Sequence, residues 1–219
     1  MAFSGLIDRF FKNTDRSNTF NFTADAVDGG AGNDFVTFEL VTGSGVILDM
    51  ASESFIVGGD TSSMTNIEGV YGSDQNDQLS GDAMANVISG GLGDDILYGA
   101  AGADELYGGS GSDIFKYISA SDTGVGAGNR DKIHDFDAGT STSSVDQIDL
   151  TAFINSDFAF LGTDDFAVGG TVAQVRVALN QGSSLIQIDV DADTVVDNEI
   201  ELAGNDGSNL DLMDFNSGT

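Results

Sequence analysis

Carboxylate side chains recur every nine residues in the middle of this chain, and this spacing is its most informative chemical feature. Five consecutive nine-residue segments run from Gly72 to Lys116. Their sixth positions hold Asp77, Asn86, Asp95, Asp104 and Asp113. Their first positions hold Gly72, Gly81, Gly90, Gly99 and Gly108, and their eighth positions hold Leu79, Ile88, Leu97, Leu106 and Phe115. Carboxylate and carbonyl oxygens in a flexible turn suit Ca²⁺ rather than Zn²⁺ or copper, so the spacing predicts a row of calcium sites.

The segments also predict the element that positions these oxygens. The first six residues must turn tightly, which glycine permits because it tolerates a positive φ. The last three residues form a short strand whose eighth-position side chain points inward. Two segments complete one coil, so each segment stacks on the next but one. This is the G-G-x-G-x-D-x-U-x nonapeptide of calcium-binding parallel β-rolls. The alternative is a Gly/Asp-rich disordered linker, but a linker has no reason to repeat an apolar residue at every eighth position.

The overall charge agrees with a cation-dependent protein. The chain has 36 acidic residues against 7 Lys and Arg, for a formal net charge of -29. No basic patch is available for nucleic acid. Self-repulsion should destabilise the compact state unless cations are bound, so several Ca²⁺ ions should contribute strongly to folding. Adaptation to high salt is a second explanation of the charge, and it is compatible with calcium binding.

The residue types that are missing exclude several activities. There is no cysteine, hence no disulfide or thiol chemistry, and no proline, which suits a chain that is exported unfolded. The single histidine, His134, cannot form an H-E-x-x-H zinc helix and is expected to be a surface or hydrogen-bonded strand residue. Carboxylate pairs are too abundant to exclude a glycosidase by spacing. We predict no enzyme activity, because calcium binding already accounts for the acids.

Residues 1–17 differ from the rest of the chain. They contain Leu6, Ile7, Phe10 and Phe11, which would form one face of a short helix. We predict a helix that caps the open end of the roll, the alternative being a helix on a membrane surface. No apolar run reaches the length of a membrane span, and no signal peptide is evident.

The pattern predicts three regions: a capping helix over 1–17, a calcium-binding roll over 18–135 and a β-sandwich-like part over 136–219. The segment Gly29–Thr37 is a further nonapeptide, with Asp34 at its sixth position. We interpret the residues between it and Gly72 as irregular turns of one continuous right-handed coil, with a polar loop over 60–64. After Lys116, residues 174–190 alternate around an Asn180–Ser183 turn and predict a hairpin. Asp189–Asp193 resembles the opening of an EF-hand loop, but we interpret it mainly as an acidic turn, because Thr194 and Ile200 stand where that loop needs Gly and Glu.

The chain from about residue 20 to 216 resembles the C-terminal domain of serralysin-type metalloproteases, which is related to the ends of RTX lipases and alginate epimerases. The residues that carry this resemblance are the five repeats and five other landmarks. The landmarks are Thr65–Glu68, Asp131–Phe136, Asp146–Leu150, Asp189–Leu202 and Leu210–Phe215. The resemblance implies an all-β protein with a right-handed parallel β-roll, secretion by a type I system that reads an uncleaved C-terminal signal, and an extracellular location. The catalytic domain of the proteases has no counterpart here.

The resemblance also implies which residues bind Ca²⁺. Carbonyls at positions one to four and the carboxylate at position six of each repeat are the expected ligands, with further acids at the ends of the roll. The expected set comprises Asp28, Gly30, Gly32, Asp34, Glu68, Gly72, Asp74, Asp77, Gly81, Ala83, Asn86, Gly90, Gly91, Leu92, Gly93, Asp95, Gly99, Ala100, Ala101, Gly102, Asp104, Gly108, Gly109, Ser110, Gly111, Asp113, Asp122, Asp131 and Asp146.

Some repeats depart from this pattern. Gln75 replaces a glycine in the first repeat, the turn at residues 81–86 ends in Asn86, and Ala100 replaces the second glycine of its repeat. We therefore expect weaker or absent calcium sites at the turns that begin at Gly72 and Gly81. The chain also continues past Phe215 as Asn-Ser-Gly-Thr, where the family often ends in apolar residues.

Three functions follow from these observations, in order of preference. The first is a calcium-dependent folding and secretion module without catalysis. The second is an extracellular protein that binds a polysaccharide or a cell surface through the calcium-loaded roll. The third is a glycan-active enzyme.

Overall fold

The structure is a computed structural model that describes residues 19–21, 26–139, 145–152, 154, 158–167, 172–205, 207, 210 and 214–216. Within these ranges the chain has strands, turns and loops but no α-helix, so the all-β fold class is confirmed. The predicted helix over 1–17 lies outside the described residues. The strands are β1 (Thr19–Asn21), β2 (Ala26–Asp28), β3 (Phe35–Thr37), β4 (Val46–Asp49), β5 (Ser54–Val57), β6 (Asp60–Thr65), β7 (Gly69–Tyr71), β8 (Gln78–Ser80), β9 (Val87–Leu92), β10 (Ile96–Tyr98), β11 (Glu105–Ser110), β12 (Ile114–Lys116), β13 (Asp131–Ile133), β14 (Gln147–Asp149), β15 (Phe158–Phe160), β16 (Ala173–Asn180), β17 (Ser183–Asp189), β18 (Asn198–Leu202) and β19 (Phe215–Asn216).

These strands form two facing sheets. The first sheet has the order β1-β3-β7-β9-β11-β13-β18-β17-β16-β15, and the second has the order β19-β14-β12-β10-β8-β4-β5-β6-β2. Consecutive repeats alternate between the sheets, and strands from alternate repeats pair in parallel. Leu97 in β10, for example, lies opposite Leu79 in β8 and Phe115 in β12. This is the two-repeat coil that the nonapeptide spacing predicts.

The core lies between the two sheets and is built from the eighth position of each repeat. All five of these side chains are at most 1% exposed. Upstream and downstream strands extend the same core with Val36, Val70, Ile133, Ile148 and Ile200. The short strands are stable because each contributes one apolar side chain to a continuous column, while the glycine-rich turns contribute none.

The interpretation of residues 38–71 as one continuous coil is wrong. Strands β4, β5 and β6 pair with each other in antiparallel fashion, and β6 occupies residues that we expected to form a polar loop. The cause is the Gly58–Gly59 pair, whose φ angles of 61° and 93° form a tight hairpin turn between Val57 and Asp60. Strand β4 then rejoins the roll by pairing in parallel with β8.

The C-terminal region continues both sheets. The hairpin predicted around Asn180–Ser183 is confirmed as β16 and β17, and β18 joins it to the roll by pairing in parallel with β13. On the opposite sheet β14 and β19 extend the stack beyond β12. Neither sheet is interrupted at residue 135, and the predicted division into regions there stays a prediction.

Leu97→Ala should cost about 2–5 kcal/mol of unfolding free energy, because it leaves a cavity in the middle of the apolar column. Leu97 is fully buried and its neighbours across the sheet belong to separate repeats, so the cavity cannot collapse easily. Urea unfolding in saturating calcium measures the loss. Ile96→Ala is the matched control, because Ile96 is adjacent but faces outward, and it should cost markedly less. Equal losses would contradict this account of the core.

Candidate metal centre

The turns of alternate repeats stack directly on one another and join their sixth-position residues in two ladders. In each ladder the Oδ1 atom of one residue accepts the backbone N–H of the residue one coil earlier. Asp95 accepts from Asp77 at 2.7 Å, and Asp104 accepts from Asn86 at 2.8 Å. The first ladder comprises Asp77, Asp95, Asp113 and Asp146, and the second comprises Asn86, Asp104 and Asp131. The nonapeptide spacing thus places buried carboxylates one coil apart.

Of the four aspartates at the sixth positions of the five central repeats, three have a second oxygen without a protein donor. Oδ2 of Asp95, Asp104 and Asp113 is buried and accepts no hydrogen bond from any residue in the described ranges. Each of these oxygens lies beside the first-position glycine of its own turn, where a side chain would collide with it. A buried carboxylate oxygen without a donor is costly unless a cation satisfies it. The ladder therefore leaves oxygens where a hard cation fits.

The raised pKa values of the ladder carboxyl groups also favour a bound cation. Burial raises the pKa of Asp95 to about 7 and of Asp104 to about 8, and neighbouring aspartates add to both shifts. Burial likewise raises the pKa of Asp131 to about 7 and of Asp146 to about 6. The pKa of Asp113 is also raised by burial. Without a cation the ladders are thus poorly suited to carry their negative charges.

The two turns with poor repeat sequences differ from the others. In the first, both carboxylate oxygens of Asp77 already accept hydrogen bonds from Ser73, and one of them also accepts the Val46 N–H. In the second, Asn86 supplies a neutral amide whose oxygen accepts the N–H of Asp82. Protein donors thus occupy the oxygens that would otherwise face a cation. This supports the expectation that these two turns bind calcium weakly, which stays a prediction.

Close stacking explains why the turns need glycine. Gly91 and Gly109 occupy the same position in successive coils, with φ of 111° and 98°, and a Cβ on Gly109 would collide with the Gly91 carbonyl oxygen. Ala100 occupies the corresponding position of its own repeat with a φ of 66°. An alanine in this left-handed region carries strain that glycine avoids.

Ala100→Gly should therefore stabilise the protein by about 1 kcal/mol, since it removes the left-handed strain at the cost of some extra freedom in the unfolded chain. Chemical denaturation in calcium measures the change. Ala103→Gly in the same turn is the control, because Ala103 does not have a positive φ. This substitution should lower the stability of the protein or leave it unchanged. A loss of stability in Ala100→Gly would show that the methyl group is needed for packing.

The remaining expected carbonyl ligands lie in the stacked turns. Three alternate turns lie one above the other at residues 72–77, 90–95 and 108–113, and those at residues 81–86 and 99–104 form the second stack. The expected ligands at the first four positions of these turns are Gly72, Asp74, Gly81, Ala83, Gly90, Gly91, Leu92, Gly93, Gly99, Ala100, Ala101, Gly102, Gly108, Gly109, Ser110 and Gly111. Gly30 and Gly32 lie in the upstream turn before Asp34, with φ of 92° and 128°. The structure places these residues together in turns, and their role as ligands stays a prediction.

Five further acids were expected at the ends of the roll, and the structure places two of them, Asp131 and Asp146, at the downstream ends of the two ladders. Glu68 accepts the N–H of Asp34 at 2.8 Å, but its own N–H donates to the Asp34 carbonyl, so no ladder hydrogen bond joins it to Asn86. The other two have different positions. Asp28 accepts hydrogen bonds from Gly30 and Asn66, and Asp122 caps the N–H groups of Ile118 and Ser119.

Two features of the downstream end were not foreseen from sequence. The Asp135 carboxylate accepts the N–H groups of Gly108 and Gly109, both at 2.9 Å, and so fixes the last stacked turn. Arg130 is 6% exposed and pairs with Glu199 and Glu201 at 2.9 Å each. Arg130 is one of few basic residues in an acidic chain, which could have indicated an ion pair. Its partner could not be identified from sequence, because Glu199 lies 69 residues away.

The single histidine and the EF-hand-like segment have ordinary structural partners. His134 is hydrogen-bonded to Glu105 and stacks on the Tyr107 ring, as a strand residue at the surface can. Oxygens of Asp189, Asp191 and Asp197 lie within 4.8 Å of one another. However, both Asp189 oxygens already accept backbone N–H groups, from Asp193 and Thr194. This segment is the acidic turn between β17 and β18.

The fold and the ladders together define a calcium-binding β-roll. The family model for the RTX calcium-binding nonapeptide repeat (4 copies) matches residues 23–37 and 80–115. The chain thus carries RTX calcium-binding repeats, and its cofactor is Ca²⁺, bound at several sites. The match leaves out Gly72–Leu79, which is the first of the five repeats and the one whose aspartate is satisfied by Ser73.

Two solved structures that match the chain are subunits of one enzyme. The AlgE6R3 subunit of the Azotobacter vinelandii mannuronan C5-epimerase has a TM-score of 0.44 and 20% sequence identity, and the match covers 99% of this chain and 87% of that one. The AlgE6R2 subunit of the same enzyme has a TM-score of 0.31 and 28% identity over 65% of this chain and 88% of that one. No curated protein matches the chain. No helix in the described ranges is long and apolar enough to cross a membrane.

Proposed function

We propose that this protein is a secreted module that folds when it binds Ca²⁺ after export by a type I secretion system, and that it has no catalytic activity of its own. The observation that carries this proposal is the pair of ladders. They bury aspartates one coil apart, and three of those aspartates keep an oxygen that no protein donor satisfies.

The energetic argument rests on charge. The folded chain brings like charges together in a buried column, and the raised pKa values of Asp95 and Asp104 record the cost. The net charge of -29 adds general repulsion. Calcium is scarce inside cells, so the chain would stay unfolded and exportable there. Outside, sites in the extracellular affinity class of about 10⁻⁴ to 10⁻³ M would fill and stabilise the fold by mass action.

The residues that line a cavity beside the second stack of turns support the absence of catalysis. A cavity of about 410 Å³ lies between the turn at Gly102 and the loop before β13. The residues that line it are Gly102, Ala103, Ala120, Ser121, Thr123, Gly124, Gly128 and Asn129. None of them has a side chain that titrates near neutral pH. A hydrolytic reaction in this cavity would lack a general acid or base.

Circular dichroism in the far ultraviolet tests the folding proposal. EDTA-treated protein is titrated with Ca²⁺, and separately with Mg²⁺, at constant ionic strength. The proposal predicts a cooperative gain of β signal with calcium and little change with magnesium, which prefers a rigid octahedral site with bound waters. A spectrum that is rich in β structure in EDTA and unchanged by calcium would overturn the proposal.

Secretion needs a separate test. Cells that carry a type I exporter and express this chain should release it into the medium, where it becomes protease-resistant only when calcium is present. Retention in cells with a working exporter would contradict the export step without affecting calcium-dependent folding. Absence of turnover on alginate and related polymers in calcium is the expected result for catalysis.

A further inference from the structure

Tyr117 is a buried tyrosine whose hydroxyl group lies among carboxylates. It follows β12 in the second sheet, and its backbone N–H donates to the Asp149 carbonyl at 2.9 Å. Its side chain is 2% exposed and belongs to the core, like that of Phe115 two residues earlier. Burial of a phenol hydroxyl is costly unless it finds a hydrogen-bond partner, whereas phenylalanine fills a core position without that cost. The Tyr117 hydroxyl therefore needs a partner inside the protein.

The charged groups around this hydroxyl belong to the downstream end of the second ladder. Asp131, Asp104 and Asp122 all act on the Tyr117 phenol, and Asp131 is within hydrogen-bonding reach of it. The three aspartates are at most 2% exposed. Asp131 begins β13 in the first sheet, whereas Tyr117 follows a strand of the second sheet. The phenol thus spans the core and brings its hydroxyl to the last residue of the second ladder.

The Asp131 carboxylate has one oxygen left for the phenol. Its Oδ1 atom accepts the Asp104 N–H at 2.9 Å, which is the last hydrogen bond of the second ladder. The backbone N–H of Asp131 donates to the Thr123 hydroxyl at 3.1 Å, and that hydroxyl donates to the Glu199 carbonyl at 2.6 Å. Neither Oδ2 of Asp131 nor the Tyr117 hydroxyl has a partner of regular geometry in the described part of the chain. One hydrogen bond between them satisfies both groups.

We infer that Tyr117 is a positioning residue for calcium in the second ladder, because its hydroxyl donates to Oδ2 of Asp131 and fixes the orientation of that carboxylate. A carboxylate oxygen has two acceptor sites, so Oδ2 keeps one for a cation. Oδ2 of Asp104, one coil earlier, is also buried without a protein donor. Hydrogen bonds from the residues behind a metal ligand hold it in place, and their loss weakens metal binding by about tenfold or more.

The phenol acts as the donor in this hydrogen bond. Burial raises the pKa of Tyr117 well above its usual value, and the negative charge of Asp131 adds to the effect. The hydroxyl therefore stays protonated at neutral pH. The inference rests on calcium binding by the second ladder, and it is independent of export.

Tyr117→Phe tests the inference, because it removes the hydroxyl and keeps the ring in the core. Calcium-loaded protein is mixed with an excess of a fluorescent chelator, and the release of ions is followed by stopped-flow fluorescence. In Tyr117→Phe one ion should leave about tenfold faster than in the native protein, and the other ions should leave at the native rate. Circular dichroism in calcium confirms that the variant is folded.

Three further variants separate positioning from general stability. Leu97→Ala weakens the apolar column and should speed the release of all ions together. Tyr71→Phe removes a phenol hydroxyl from a side chain that is 38% exposed and should release ions like the native protein. Asp131→Asn should itself speed the release of one ion. Adding Tyr117→Phe to Asp131→Asn should have no further effect, since Tyr117 acts through this carboxylate.

Terbium(III) gives a spectroscopic readout, because it binds oxygen ligands as calcium does and emits when a nearby tyrosine is excited. The chain has four tyrosines and no tryptophan. Tyr117→Phe should lose most of the emission excited through tyrosine, and Tyr71→Phe should keep it.

Four results would overturn the inference. They are release of every ion at the native rate in Tyr117→Phe, faster release of all ions together as in Leu97→Ala, a further effect of Tyr117→Phe on Asp131→Asn, and full terbium emission in Tyr117→Phe. Each of them leaves the proposed function intact if the native protein binds calcium. A native protein that yields no calcium to the chelator would contradict both.

Discussion

Asp104→Asn should stabilise the calcium-free protein and destabilise the calcium-loaded protein. Asp104 is fully buried, and its pKa of about 8 means that ionising it in the folded state is costly. Relative to the ordinary aspartate pKa of 3.8, the cost of ionising Asp104 at pH 8 is about 5 kcal/mol. Asparagine keeps the oxygen that accepts the Asn86 N–H but leaves an amide N–H group unsatisfied, which costs about 1–3 kcal/mol. The net gain without calcium should be about 2 kcal/mol or more.

In calcium the sign reverses, because asparagine removes a charged ligand. A site contributes about 2.7 kcal/mol to stability when the Ca²⁺ concentration is about a hundred times its dissociation constant. Loss of the site removes that contribution. Far-ultraviolet circular dichroism at pH 8 in EDTA measures the folded fraction of the calcium-free chain, and urea unfolding in excess calcium measures the loss in the loaded protein. The native chain contains a precedent in Asn86, which occupies the same ladder position.

Asp94→Asn is the control for Asp104→Asn. It removes the same charge from the neighbouring position of a stacked turn, but Asp94 is exposed and lies outside the ladders. It should change stability by no more than about 0.5 kcal/mol in either condition. If Asp104→Asn changed stability in the same direction with and without calcium, the proposed role of its free oxygen would be wrong.

Lowering the pH from 8 to 5 should stabilise the calcium-free protein. Burial raises the pKa of Asp95, Asp104, Asp131 and Asp146 to between about 6 and about 8. In the unfolded chain these groups ionise near the ordinary aspartate pKa of 3.8. The folded state therefore binds more protons between about pH 4 and pH 8. Their stabilisation is complete below the unfolded pKa and is lost as the pH rises through the folded values.

Each fully shifted group changes the unfolding free energy by up to about 1.4 kcal/mol per pH unit, so the combined effect is large. Far-ultraviolet circular dichroism of EDTA-treated protein from pH 5 to pH 8 measures how the folded fraction changes with pH. Asp104→Asn should weaken that dependence. In calcium the dependence should weaken or reverse, because Ca²⁺ competes with protons for the same carboxylates. A calcium-free protein that becomes less stable toward pH 5 would contradict the raised pKa values.

The regular part of the fold follows from sequence because its signals are local. The first-, sixth- and eighth-position residues of each repeat fix the turn, the ladder and the core without reference to the rest of the chain. Glu68 lies outside any nonapeptide, so only the family resemblance indicated it, and its hydrogen bond to the Asp34 N–H depends on how the coils stack. The strand at residues 60–65 was missed because its polar sequence depends on the Gly58–Gly59 turn and on pairing with β5.

Contacts between distant residues explain the other differences. Arg130 and Glu199 are 69 residues apart, and no local pattern indicates that they meet. Asp122 caps a loop by accepting the N–H groups of Ile118 and Ser119, and its expected role at a calcium site stays a prediction.

The most direct test of the central claim is a crystal structure grown in calcium, with Ca²⁺ located by anomalous scattering. The account predicts ions between the stacked turns, at about 2.3–2.6 Å from Oδ2 of Asp95, Asp104 and Asp113. It predicts no ion at Asp77, whose oxygens accept hydrogen bonds from Ser73. Ions bound only at the surface, with these three oxygens turned away, would contradict the assignment of the ladders as the calcium sites.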